Sequence, residues 1–224
     1  MEDRDSSGGS SDANFRPPLC RDGSLALGFI FAFIGWGIFV AESDIKPTEI
    51  KLEDFFSKVL SVIGKITDEQ IADLLRKSKK TVATAESITG GLISARLTAI
   101  PGSSDYFIGG ITCYHPRIKV VNVGVPASVI NQFGLASKEV AIALAEGIRS
   151  RFRTDIGIAS TGVAGPAPLP PAPVGRAYIA LASEKETDWK ELNLQGTRGE
   201  IREKVAQAAL GLLWLYLGGD EVVK

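Results

Sequence analysis

The sequence holds only one histidine, His115, in 224 residues. A His-rich metal centre is therefore excluded, and a Ser-His-Asp arrangement would have to pass through that single ring. Two cysteines, Cys20 and Cys113, are too few for a disulfide scaffold and lack zinc-ligand spacing. No motif points to a metal, and no cofactor is expected. Neither sign of charge is in excess: 25 basic and 26 acidic residues leave a formal charge of -1. The basic residues are scattered, without aromatic interleaving, so nucleic acid is not an expected partner. The polar glycine turn at Thr161-Gly162 is neither G-x-G-x-x-G nor a P-loop, because no G-K-[ST] follows it.

What is present divides the chain. Residues 1–24, rich in Ser, Gly, Asp and Pro, read as a disordered tail. Residues 25–41 form an uncharged apolar run of borderline length for a bilayer-spanning helix. A membrane anchor, a buried or partner-covered helix and a targeting segment compete for it. The anchor is favoured because the run has no amphipathic break. Attachment through 25–41 would make the protein membrane-anchored; otherwise it is expected to be cytoplasmic. Residues 42–66 read as a linker or accessory helix, with helical pattern around 49–63. A compact domain is assigned to 67–219.

Within that domain the pattern predicts strands separated by helices, hence an α/β layered fold. Thr67 and Gln70 form a capping box ahead of Ile71, Leu74 and Leu75. The run V-A-T-A-E is β-prone, and Gly90-Gly91 introduces the helical L-I-S-A-R-L-T. Y-F-I-G-G-I-T-C-Y reads as a second core strand, with turns at His115-Pro116 and around Gly124. A short helix is predicted over Ala127–Phe133. A longer one follows Ser137, with Val140, Ala141, Leu144 and Ile148 inward. D-I-G-I-A-S-T, V-G-R-A-Y-I-A-L-A-S and D-W-K-E-L-N-L are further strands, the last an antiparallel neighbour. The proline-rich stretch 162–175 fits no regular element. Residues 199–217 read as the last helix, with Val205, Ala208, Ala209, Leu212 and Leu213 facing inward.

The polar residues cluster in 84–119. Ser87 and Thr89 stand where a strand turns into a helix, and a helix start offers unpaired N–H groups suited to an anion or oxyanion. Gly90 and Gly91 permit close backbone approach. Ser87 is a nucleophile candidate that needs a base. Lys119 is a candidate base, and Tyr114 a proton relay or a holder of that lysine. The bland alternative is that Ser87 and Thr89 only cap the helix. Glu86 would orient Lys119, receive a substrate hydroxyl, or simply bond to nearby backbone donors. His115, before proline, reads as a turn residue. Thr161 and Gly162 offer a second polar turn at the same sheet edge. Arg198 and Arg202 are phosphate anchors or ordinary surface ion-pairing residues.

Taken together, several ordered pieces resemble the C-terminal domain of the competence/damage-inducible protein CinA, over 66–217. They are A-E-S-I-T-G-G, P-G-S-S-D-Y-F-I-G-G-I-T-C-Y with the Tyr114–Lys119 spacing, V-G-V-P, G-L-A-S-K-E-V, S-T-G-V-A-G-P, P-V-G-R-A-Y-I-A and G-T-R-G-E-I-R. That family includes nicotinamide-nucleotide amidases. The resemblance implies a three-layer α/β/α sandwich with a central mixed sheet. It also implies hydrolysis of nicotinamide mononucleotide to nicotinate mononucleotide and ammonia, and self-association. Ser87 would be the nucleophile, with Tyr114 and Lys119 activating it. Glu86, Thr89, Gly90, Gly91, Thr161, Gly162, Arg198 and Arg202 would shape the substrate site. One stretch departs from the family pattern. After T-G-V-A-G-P, members usually carry glycines and then K-P-V-G; here A-P-L-P-P-A-P-V-G follows, with Ala172 at the usual lysine position. The alternative reading is an altered member that binds a nucleotide-like ligand without turnover. The pyrophosphatase activity attached to the N-terminal domain of larger CinA proteins is not carried over.

Overall fold

Helix α1 (Asp68–Ser78) begins the part of the chain that the computed structural model describes, residues 66–219. The tail at 1–24, the apolar run at 25–41 and the linker at 42–65 lie outside the described residues. Among the described residues no helix is long and apolar enough to cross a membrane. The Thr67–Gln70 capping box forms, with each side chain bonded to the other residue's backbone N–H.

Next come β1 (Val82–Glu86), α2 (Leu92–Thr98), β2 (Phe107–Thr112), the short turn α3 (Pro116–Ile118), α4 (Ala127–Phe133), α5 (Lys138–Phe152), β3 (Ile156–Gly162), β4 (Arg176–Ala182), β5 (Thr187–Asn193) and α6 (Arg198–Tyr216). The sheet order is β2-β1-β3-β4-β5. Strand β1 runs parallel to both β2 and β3, while β4 and β5 are antiparallel additions. The sheet is mixed and the fold is α/β. Strand β2, which the sequence suggests as a core strand, is an edge, and its residues alternate between half-buried and exposed. Its apolar letters pack against β1 on one flank only, and Ile108 is left exposed.

Alternation along the strands assigns the two faces. Val82, Ile156, Ile158, Ile179 and Leu181 pack with α1, α2 and α6. Ala83, Ala85, Ala159, Ala180 and Ala182 pack with α5. Bulky branched side chains fill one layer, and alanines let α5 lie close on the other. The approach is close at Gly157, where an added Cβ would fall 2.2 Å from the Ala145 carbonyl oxygen. Helix α6 is buried around most of its circumference from Ile201 to Trp214. Each fully buried Leu or Ile there contributes about 1.5–3 kcal/mol. Because β1, β2 and β3 are parallel, their C-terminal ends share one edge, the usual ligand side of an open α/β sheet.

Candidate active site

Ser87 is the first residue beyond β1, and its N–H donates to the Ser160 carbonyl (3.0 Å), carrying the β1–β3 ladder one residue further. Lys119 reaches it from the far side of the sheet edge. Its Nζ donates to Ser87 Oγ at 2.6 Å and to the Cys113 carbonyl at 2.7 Å. The lysine side chain is 1% exposed, and among the described residues no carboxylate pairs with it. Burial therefore holds its pKa below the ordinary lysine value, opposed only by the neighbouring Cys113 thiol. A buried, uncompensated amine that readily sheds its proton is what a hydroxyl nucleophile needs as a base.

Local structure explains how Lys119 gets there. His115 caps the turn after β2, its Nδ1 accepting from the Arg117 N–H, and Pro116 sits at the first helical position. From Lys119 to Val123 the backbone winds as a π-helical turn, closed by the Val125 N–H onto the Lys119 carbonyl. The sequence reading of a simple turn at His115-Pro116 missed this winding. His115 itself is a turn residue.

The two groups open onto a cavity of about 200 Å³. Its walls include Tyr114, Thr161, Gly162 and Arg198 of the expected residues, with Ala167 and Leu169 from the proline-rich stretch. Leu169 and Ala172 pair as a small antiparallel bridge, so part of that stretch is a tight turn bordering the site. Thr161 Oγ1 donates to the Leu135 carbonyl at 2.7 Å. Tyr114 is 59% exposed, and its hydroxyl accepts from Arg198 Nη2 at 2.7 Å. The expectation that Tyr114 holds the lysine is thus corrected: Lys119 is held by the Cys113 carbonyl, and Tyr114 pairs with Arg198. The same guanidinium donates from Nη1 to the Gly165 carbonyl, joining α6, the end of β2 and the proline-rich stretch.

Five expected residues do not line the cavity. Glu86 is 1% exposed. Its Oε2 accepts from Thr89 Oγ1 (2.7 Å), the Gly91 N–H (2.9 Å) and the Ile93 N–H (3.0 Å). Its Oε1 accepts from the N–H of Ser94 (2.8 Å) and from that residue's hydroxyl. This corrects two expectations. The start of α2 is not free for an anion, because a protein carboxylate occupies its donors. Glu86 has no remaining capacity for substrate or Lys119. Thr89 is fully buried between Glu86 and Ser160. Gly90 and Gly91 adopt φ of +61° and +104° and form the turn itself. Arg202 donates to the Ile88 and Thr89 carbonyls. Sequence reasoning also missed the Cys113 carbonyl, which carries no side-chain signal. It missed Ser160 too, whose signal was a hydroxyl next to Thr161 at the end of an otherwise apolar strand. Among the described residues no cluster of His, Cys, Asp or Glu suits a metal ion.

Comparison with known proteins identifies the family and the fold. The CinA C-terminal domain profile matches residues 65–217. The chain belongs to the CinA C-terminal domain family. A CinA-like protein of Sulfurihydrogenibium is 38% identical over 197 residues, covering 85% of this chain and 49% of that protein. A CinA-like protein of Dictyoglomus thermophilum is 43% identical over 147 residues, covering 65% of this chain and 36% of that protein. The chain therefore spans half or less of the length of these curated relatives. Among solved structures, the competence/damage inducible protein CihA of Agrobacterium tumefaciens superposes with a TM-score of 0.63 at 31% identity. That match covers 67% of this chain and 94% of CihA, so the CinA domain fold extends across nearly all of that structure.

Proposed function

We propose that this CinA domain is an amidohydrolase that converts nicotinamide mononucleotide to nicotinate mononucleotide and ammonia. The observation that carries the reading is the 2.6 Å contact between Ser87 Oγ and a buried Lys119 amine that has no ionic partner among the described residues. Neutral Lys119 takes the Ser87 hydroxyl proton as Oγ attacks the carboxamide carbon. The resulting lysine ammonium returns that proton to the departing amine, and ammonia leaves an acyl ester on Ser87. Water then attacks the ester, Lys119 again accepting and returning a proton, and the carboxylate product leaves with Ser87 restored. Arg198, the cationic wall of the cavity, is the phosphate anchor, and Tyr114 beside it shapes the mouth. Thr161 and Gly162 line it as well. Among the described residues no Asp or Glu lines the cavity, which favours an anionic ligand.

A second reading, ligand binding without turnover, is favoured by one feature. The wall at Ala167 and Leu169 is proline-rich and apolar, and Ala172 stands at the usual lysine position of the family. Ammonia release from nicotinamide mononucleotide by the purified full chain separates the two, with nicotinamide riboside as the control for phosphate dependence. Turnover of the mononucleotide above the riboside supports the amidase. Saturable binding with no ammonia supports the second reading.

A further inference from the structure

The turn after Ser87 is gripped from two sides by opposite charges. From α6, Arg202 Nε donates to the Ile88 carbonyl (3.2 Å) and Nη2 to the Thr89 carbonyl (2.7 Å). From β1, Glu86 accepts the N–H groups of Gly91, Ile93 and Ser94. The cation thus takes the turn's acceptors and the anion takes its donors. In a trans peptide the C=O and N–H point in opposite directions. Drawing the Ile88 and Thr89 carbonyls toward α6 therefore turns the Thr89 and Gly90 N–H groups away from it. Among the described residues neither Glu86 nor Arg202 forms an ion pair, so both charges are directed at this one stretch of backbone. The fit is close: a Cβ at Gly90 would lie 3.1 Å from Arg202 Nη2, at a φ of +61°. Neither side chain lines the cavity, in contrast to Arg198.

The geometry points to Arg202 and Glu86 as positioning residues that fix Ser87 by clamping the turn that follows it, one through its carbonyls and the other through its N–H groups, with Arg202 making no contact with substrate. This rests on Ser87 being the nucleophile. It separates the two arginines of the G-T-R-G-E-I-R segment by role: Arg198 meets ligand and Arg202 meets chain.

The test compares full-length wild type with Arg202→Ala and Arg202→Lys by amide hydrogen exchange and by steady-state kinetics. In Arg202→Ala, exchange in residues 88–94 should quicken while β3 keeps wild-type protection. Misplacement of a reacting group by about 1 Å costs roughly 100-fold, so kcat should fall by about 10- to 100-fold. KM for the mononucleotide and its preference over the riboside should stay within about twofold of wild type. Arg202→Lys, which keeps one donor cation, should recover part of both losses. Unchanged exchange in 88–94 would overturn the proposal. So would a raised KM with lost mononucleotide preference and unchanged kcat, the pattern of a phosphate ligand. If wild type turns over neither substrate, the amidase reading fails by itself and the exchange result alone decides the clamp.

Discussion

Lys119 Nζ lies 2.6 Å from Ser87 Oγ, although 32 positions separate the two residues in the chain. The contact is made where β1 and β2 end side by side, and it converts an ordinary hydroxyl into one with a base in reach. The base is buried on the wrong side of its own solvation preference, and that fact has measurable consequences.

The first concerns stability. Burial lowers the Lys119 pKa in the folded protein relative to the unfolded chain. Between the depressed folded value and the ordinary value of 10.5, the unfolded chain binds more protons than the native one. Stability should therefore rise with pH across that window. Below it, the native state carries the full cost of a buried cation. Urea denaturation of wild type and Lys119→Met across this range checks it: the lysine-dependent rise should be missing in the variant. An equal rise in both would assign it to other groups.

The same depression fixes the acid limb of catalysis. As the base of the proposed amidase, Lys119 must be neutral, so kcat/KM should increase as pH rises through its pKa in free enzyme. The midpoint should fall below 10.5, the unperturbed lysine value. Lys119→Met should lower kcat by about 100-fold or more, the range general-base removal typically costs.

Arg198 supplies a prediction about specificity. It joins the Tyr114 hydroxyl to the Gly165 carbonyl at the cavity wall. Arg198→Ala should raise KM for the mononucleotide by about 10-fold or more, as loss of a charge-assisted contact of 1.5–3 kcal/mol implies. It should leave the riboside nearly unaffected. Parallel kinetics on the two substrates read this out, and an equal loss on both would remove phosphate from the role of Arg198.

Packing between α5 and the alanine face of the sheet is tested at Gly157. An added methyl would fall 2.2 Å from the Ala145 carbonyl oxygen, so helix and strand must separate. Gly157→Ala should destabilise the domain by about 1–3 kcal/mol, as overpacking does. Thermal denaturation would show it as a lowered Tm, and an unchanged Tm would contradict the close approach.

These tests also mark where the sequence was informative. The capping residues Thr67 and Ser137 each start a helix with a local bond, so local letters sufficed. The order of strands and helices was legible because short β-prone runs bounded by turn residues contrast with the 3.6-residue spacing of the helices. The sequence did not reveal that β2 is an edge, because the Phe, Ile and Thr letters of F-I-G-G-I-T read the same at an edge as inside a sheet. Nor did it distinguish Glu86 from a substrate ligand. A carboxylate next to a nucleophile reads as chemistry until its five donors, spread from Thr89 to Ser94, are brought round by the turn. Arg198 and Arg202 are one helical turn apart and looked equivalent. Their neighbours separate them, since one reaches Tyr114 and the other the Ile88 and Thr89 carbonyls.

The central claim is that Ser87 is the nucleophile of an amidase. Ammonia release from nicotinamide mononucleotide, compared between the full-length wild type and Ser87→Ala, tests it most directly. The account predicts steady release by wild type and none above background by the variant, with both proteins showing the same circular dichroism spectrum. Equal release by the folded variant would contradict it.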